Sequence, residues 1–170
     1  MDAEALLDLM RHNTQRIRTL VAGTSDAQAR WKPDAETWSI LEVINHLDDE
    51  ERLDFRVRLD HILHQPGQPW PPIDPPGWVT EHRYNERDLD DSLASFLRER
   101  QQSLDWLQSL GTPNWSRSET APWGGTLSAG DMFAAWVAHD TLHLRQLVEL
   151  HHAYVEQLAA PYHTQYAGDW

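Results

Sequence analysis

The sequence predicts an all-α fold, a four-helix bundle of up-down-down-up order. Three observations carry this expectation. Four long stretches place apolar residues at three- and four-residue spacing. Helix start and stop signals bound them. A long proline-rich crossover lies between the second and third helices, and a connection of that length inside a compact chain usually spans the fold.

The first helix is expected over about residues 2–22, with Leu6, Met10, Ile17 and Leu20 on one stripe and Gly23 as a stop. Residues 23–38 are expected to hold a short helical turn after Ser25, then Trp31, Pro33 and Trp38. The second helix opens at Ser39-Ile40-Leu41-Glu42, a capping box in which Ser39 and Glu42 satisfy each other's free N–H groups, and runs to about His64 before Pro66. Residues 65–87 contain six prolines (Pro66, Pro69, Pro71, Pro72, Pro75, Pro76), which speaks against regular structure there. A return across the bundle through this segment leaves the second and third helices parallel. The third helix starts near Asp88 and carries Leu89, Leu93, Phe96, Leu97, Leu104 and Leu107 before Gly111-Thr112-Pro113. Residues 112–127, with Gly124 and Gly125, form an irregular link with room for a small hairpin; the fourth helix follows Ser128 and runs to about Gln157.

At 170 residues the chain fits one domain, residues 1–170, with a full core. No apolar run approaches a membrane span of roughly 18 residues, and Met1-Asp2-Ala3-Glu4 lacks the features of a signal peptide, so a cytoplasmic protein is expected. The absence of cysteine excludes disulfides, thiolate ligands and cysteine nucleophiles; any sulfur chemistry would need an exogenous thiol. The net charge of −13 disfavours nucleic acid, since Arg52, Arg56 and Arg58 are interleaved with Asp and Glu rather than gathered in a stripe.

The histidines are the informative residues. His139 and His143 are four apart in the fourth helix, a spacing that lets two imidazoles share one ion. Ten histidines would supply roughly 0.6 such pairs by chance, so the spacing alone is weak. Their stripe strengthens it: Met132, Trp136, His139, His143, Leu147 and Leu150 share the inward face, where an unpaired polar group is costly. The bland alternative is a pair of core histidines satisfied by each other or by neighbours. In the second helix, the stripe Val43, His46, Glu50, Leu53, Val57 turns His46 inward, giving three imidazoles from two facing helices. Glu50 is a candidate fourth ligand, partner to a ligating histidine or general base, against a surface carboxylate. Arg100 falls on the third helix's stripe and could hold a substrate carboxylate bidentately, against an arginine reaching out from the stripe's edge. Asn13 interrupts the first stripe. His61 and His64 suit the last turn of their helix; His151 and His152 are expected in solvent; His12, His82 and His163 have no inward partner in view.

Trp31-Lys32-Pro33, Trp38-Ser39-Ile40-Leu41-Glu42-Val43-Ile44-Asn45-His46-Leu47 and Ala138-His139-Asp140-Thr141-Leu142-His143-Leu144-Arg145-Gln146-Leu147 together resemble the DinB/YfiT-like superfamily of bacterial metal-binding four-helix bundles, across about residues 2–157. The resemblance implies an up-down-down-up bundle and a divalent ion held by His46, His139 and His143. Zinc or nickel comes first as its identity, iron or manganese after. It further implies a metal-dependent enzyme acting on a small molecule, foremost a transferase that activates a low-molecular-weight thiol. A hydrolase using water and a non-catalytic, stress-related binding protein are the competing functions, and a homodimer is expected from the same likeness and from nine tryptophans. The proline-rich 65–87 crossover departs from the family pattern. Three histidines in one layer make the last helix overhang the bundle, so Trp31 or Trp38 is expected to pack on its final turns.

Overall fold

The computed structural model describes residues 1–169. Helix α1 (Ala3–Val21) leads through a short α2 (Asp26–Arg30) to α3 (Ile40–Asp49), a π-helical turn (Glu50–Phe55) and α4 (Arg56–His64), which together form one long rod. The crossover carries α5 (Pro75–Glu81) and leads to α6 (Leu89–Ser109). A hairpin of β1 (Ser118–Thr120) and β2 (Thr126–Ser128) pairs antiparallel and feeds directly into α7 (Ala129–Ala159). The bundle is up-down-down-up: α1 packs along α7, α3 along α6, and α4 against α7.

The caps sit where the sequence places them. Ser39 Oγ accepts from the Glu42 N–H at 3.1 Å while the Glu42 carboxylate accepts from the Ser39 N–H at 2.8 Å. Ser128 and Asp131 repeat this box at the start of α7, and Ser25 caps α2. The crossover differs from expectation: Asp74 caps a seven-residue helix whose first residues are Pro75 and Pro76. Proline is compatible with the first turn because the N–H it lacks has no helical acceptor there, so Asp-Pro-Pro starts a helix where proline count alone argues against one.

The second difference lies inside the rod. A π turn takes in an extra residue, rotating the downstream half of the rod relative to the α-helical stripe. Leu53 and Val57, expected inward, are half-buried, while Glu50, Glu51, Asp54, Arg58 and Leu59 are buried. The core is consequently split. One apolar cluster holds Ile17, Leu41, Ile44, Leu47, Phe96 and Leu147; the other holds Met10, Leu59, Ile62, Leu104, Met132 and Trp136. Between them every long helix contributes buried polar groups: Asn13 from α1, His46 and the π-turn carboxylates, Arg100 from α6, Asp140 and His143 from α7.

The overhang of α7 is roofed as expected. Trp31 packs edge-on against Tyr154 with ring centroids 5.3 Å apart. His151, expected in solvent, is half-buried: its Nε2 lies 2.7 Å from the Leu20 carbonyl and its Nδ1 2.9 Å from the Gln28 amide. His61 is buried in the last turn of α4 and packs on Trp70, and His82 gains an inward partner, with Nδ1 2.6 Å from Asp49. Asp49 also accepts from the Tyr84 hydroxyl at 2.6 Å, pinning the crossover to α3.

Ser39 is fully buried, and besides capping α3 its hydroxyl donates to Asn85 at 2.7 Å. Ser39→Ala should therefore cost about 1–2 kcal/mol in urea unfolding, the upper part of the range for a helix cap; an unchanged midpoint would show that the cap is not limiting.

Candidate metal centre

His46 enters the polar layer from the second turn of α3, and His139 and His143 from adjacent turns of α7. Their Nε2 atoms converge: His143 to His139 is 3.0 Å and His46 to His139 is 3.4 Å, with all three ligand atoms within 4.8 Å of one another. Tetrahedral coordination with bonds of about 2.0–2.1 Å gives nitrogen–nitrogen edges of about 3.3–3.4 Å. A hydrogen bond satisfies one such pair; a single cation satisfies all three nitrogens together, so the donor set fits a metal ion.

The far sides of the rings are arranged to support this. His143 Nδ1 lies 2.8 Å from Gln146 Oε1, an acceptor that keeps the proton on Nδ1 and leaves the Nε2 lone pair facing inward. His46 Nδ1 faces Glu50 Oε1 at 3.7 Å, beyond hydrogen-bond range, and both atoms are buried with no hydrogen-bond partner. Burial, followed by repulsion from His143 and His139, pushes His46 down to about 2. Burial and then His143 take His139 to about 3, and burial lowers His143 as well. All three imidazoles are thus held neutral, the form that donates to a metal.

Glu50 is buried, not a surface carboxylate, and lies on the Nδ1 side of His46 rather than among the Nε2 atoms. Burial and then the charge of Asp54 push its carboxyl up to about 8. Among the described residues no further His, Asp or Glu joins the group of three. Two aromatic rings flank it: Trp38 stands 4.8 Å from His46 and stacks parallel to His143 at 6.5 Å, while Phe55 stands 5.1 Å from His139.

Arg100 is not available to a substrate. Its side chain is 1% exposed; Nη1 and Nη2 donate to the two oxygens of Asp140 at 2.8 and 2.7 Å, and Nε donates to Glu51 at 2.8 Å. Burial works against its charge, but the Glu51 and Asp140 carboxylates outweigh it and hold the guanidinium above its ordinary pKa. Trp136 Nε1 donates to the same Glu51 oxygen at 2.8 Å. The lock joins α6, the π turn and α7 next to His139. Apolar spacing reveals Arg100 but not Glu51, which only the π turn brings inside, nor Asp140, which lies off the expected stripe. Asn13 is buried and accepts from Arg16 at 2.6 Å, a neighbour on α1 rather than a histidine of the centre.

Fold and site together define a helical bundle with a three-histidine centre in its mid-layer. A family profile described as the DinB superfamily matches residues 9–147, and the chain belongs to that superfamily. No curated protein sequence matches it significantly. Among solved structures, YfiT from Bacillus subtilis, described as a probable metal-dependent hydrolase with an unusual four-helix bundle topology, superposes with a TM-score of 0.77 at 17% identity, over 87% of this chain and 85% of that one. At that identity the likeness concerns the fold. No helix among the described residues is long and apolar enough to cross a membrane.

Removing Arg100 leaves two carboxylates buried without a counter-charge. Arg100→Leu should lower stability in urea by about 3–5 kcal/mol; retention of wild-type stability would show that the lock is dispensable.

Proposed function

We propose that this chain is a divalent-metal-dependent enzyme that activates an exogenous low-molecular-weight thiol for transfer to a small electrophilic substrate. The observation that supports it is the three-sided cluster. His46, His139 and His143 converge, and no fourth His, Asp or Glu of the described residues joins them. Structural sites are closed by four protein ligands, whereas catalytic ones keep a position open. A divalent ion at such a centre supplies Lewis-acid activation of a weakly acidic nucleophile near neutral pH. Zinc or nickel suits three imidazoles best, then iron or manganese.

The protein's own part is positional. Gln146 orients the imidazole of His143, and Glu50 stands beside that of His46. Trp38 and Phe55 form apolar walls that keep water from the reacting group. Neither wall carries a base, and Glu50 sits behind His46. A thiol, with a pKa of about 8.5, reaches its nucleophilic form by losing one readily acidic proton, so Lewis-acid activation suffices without a base at the open side. Water is the second reading, favoured by the likeness of fold to YfiT, a probable metal-dependent hydrolase. The reading includes a homodimer, for which exposed Leu142, Val148, Val155 and Leu158 on α7 supply apolar surface.

Purified protein should bind about one divalent ion per chain, with binding lost in His46→Ala, His139→Ala or His143→Ala; Gln146→Ala should weaken affinity roughly 10- to 100-fold. Stoichiometric binding in all three histidine variants, read by metal analysis after dialysis, would remove the metal reading. Turnover of an electrophile panel should require added thiol, saturate with it and stop with chelator. Chelator-sensitive hydrolysis without thiol would instead establish the water reading, and activity indifferent to chelator would exclude both.

A further inference from the structure

Residues 9–25 hold three arginines and one histidine but no Asp or Glu, in a chain with 27 acidic residues and a net charge of −13. Residues 141–148 are likewise free of acid. The two stretches belong to α1 and α7, which pack side by side. Where these helices meet, an open groove of about 690 Å³ faces solvent. Its floor is formed by Leu20 and Leu144, which rest on the apolar cluster of Ile17 and Leu147, together with exposed Val148. Arg16 and Arg145 stand along it, and Gln15 and Thr19 complete the lining, so that no carboxylate takes part.

Water against an uncovered apolar floor is unfavourable, and a ligand that covers it is stabilised in proportion to the area removed from water. The volume of the groove lies in the range of small-molecule sites, and its charge selects the kind of molecule. Arg16 Nη1 donates to Asn13 Oδ1 at 2.6 Å, a neutral partner that leaves the guanidinium charge uncompensated. Arg145 Nε reaches Glu149 at 3.3 Å, an exposed pair of the sort that contributes little and exchanges readily for another carboxylate. A guanidinium offers paired donors that match a carboxylate. A nucleic acid or an anionic membrane must face the acidic protein as a whole, whereas a small monoanion in the groove meets chiefly the local field.

We propose that the groove between α1 and α7 binds a free amphiphilic monocarboxylate, its alkyl chain laid over Leu20, Leu144 and Val148 and its carboxylate held by Arg16 and Arg145. The site lies on the α1 side of α7, whereas His139 and His143 meet His46 of α3, and it does not depend on the metal reading. Leu142, Val155 and Leu158 are outside the lining and stay available to a second copy of the chain.

The probe is decanoate, isotope-labelled at its carboxyl carbon and titrated into the full chain by NMR, with decyltrimethylammonium as a ligand of equal chain length and opposite charge. Decanoate should saturate a single site and bind roughly 10-fold tighter than the cation, although the net charge of the protein favours the cation. Arg16→Gln and Arg145→Gln should each weaken decanoate about 2- to 5-fold. Val148→Asp should weaken it on the order of 10-fold, and Arg18→Gln, on the same helix but outside the groove, should leave it unchanged. Equal or tighter binding of the cation, indifference to both groove arginines, an equal loss in Arg18→Gln, or no saturable binding would overturn the proposal. Two other occupants would overturn it as well. A dimer that sediments as a monomer after Val148→Asp, with decanoate unbound throughout, would assign the groove to a second copy. Binding confined to anionic lipid vesicles would assign it to a membrane surface.

Discussion

The contact between Arg100 and its two carboxylates is the constraint on which the rest of this bundle depends. It fixes the rotation of α7 through Asp140, immediately beside His139, and draws the π turn inward through Glu51. Without that inward pull a π turn would have little to stabilise it, because its backbone geometry is less favourable than that of the α-helix. With it, the rod from Ile40 to His64 changes face halfway along. The residues above the turn pack His46 towards α7, and those below pack Leu59 and Ile62 into the second apolar cluster. Metal-site geometry and core packing are consequences of the same charged contact.

A polar layer between two apolar clusters also determines how the chemistry is housed. The apolar clusters exclude water from above and below, so each charge in the layer acts at a low effective dielectric. Neutral imidazoles are favoured there without any special partner, since burial alone disfavours their protonation. Trp38 and Phe55 extend that dry environment to the rim of the cluster. The centre is thereby poised for charge to arrive with an ion rather than with protons.

Much of this is legible in the sequence because helical periodicity and capping are local. Ser39 with Glu42 and Ser128 with Asp131 mark helix starts by their side-chain chemistry, and both boxes form. The inward course of His46, His139 and His143 follows from apolar spacing, and the structure brings their nitrogens together. The departures share a cause. Beyond Glu50 a stripe of constant period points to Leu53 and Val57, and an inserted residue breaks that period without changing composition. Asp54 and Arg58 take the inward places instead, and Glu51 turns inside with no sequence signal to mark it. The sequence shows what the fork of Arg100 can bind, whereas its partners, Glu51 and Asp140, are visible only in three dimensions. In the crossover, Pro75 and Pro76 obscure a helix that Asp74 announces.

The pairing of α1 with α7 has a consequence for how the chain is made. The first helix finds its main partner, α7, only when that helix has been synthesised, about 100 residues later. At ordinary elongation rates that interval is roughly 5–20 seconds. Throughout it, the apolar stripe of Met10, Ile17 and Val21 has only the partial native cover that α3, α4 and α6 supply, and His46 waits for a companion 93 residues downstream. A nascent chain of this topology can pair α3 with α6 early, but it cannot assemble a metal centre before α7 emerges. Convergence of the three histidines therefore waits for α7, and the stretch from α1 to α6 is the interval in which molecular chaperones have most to protect.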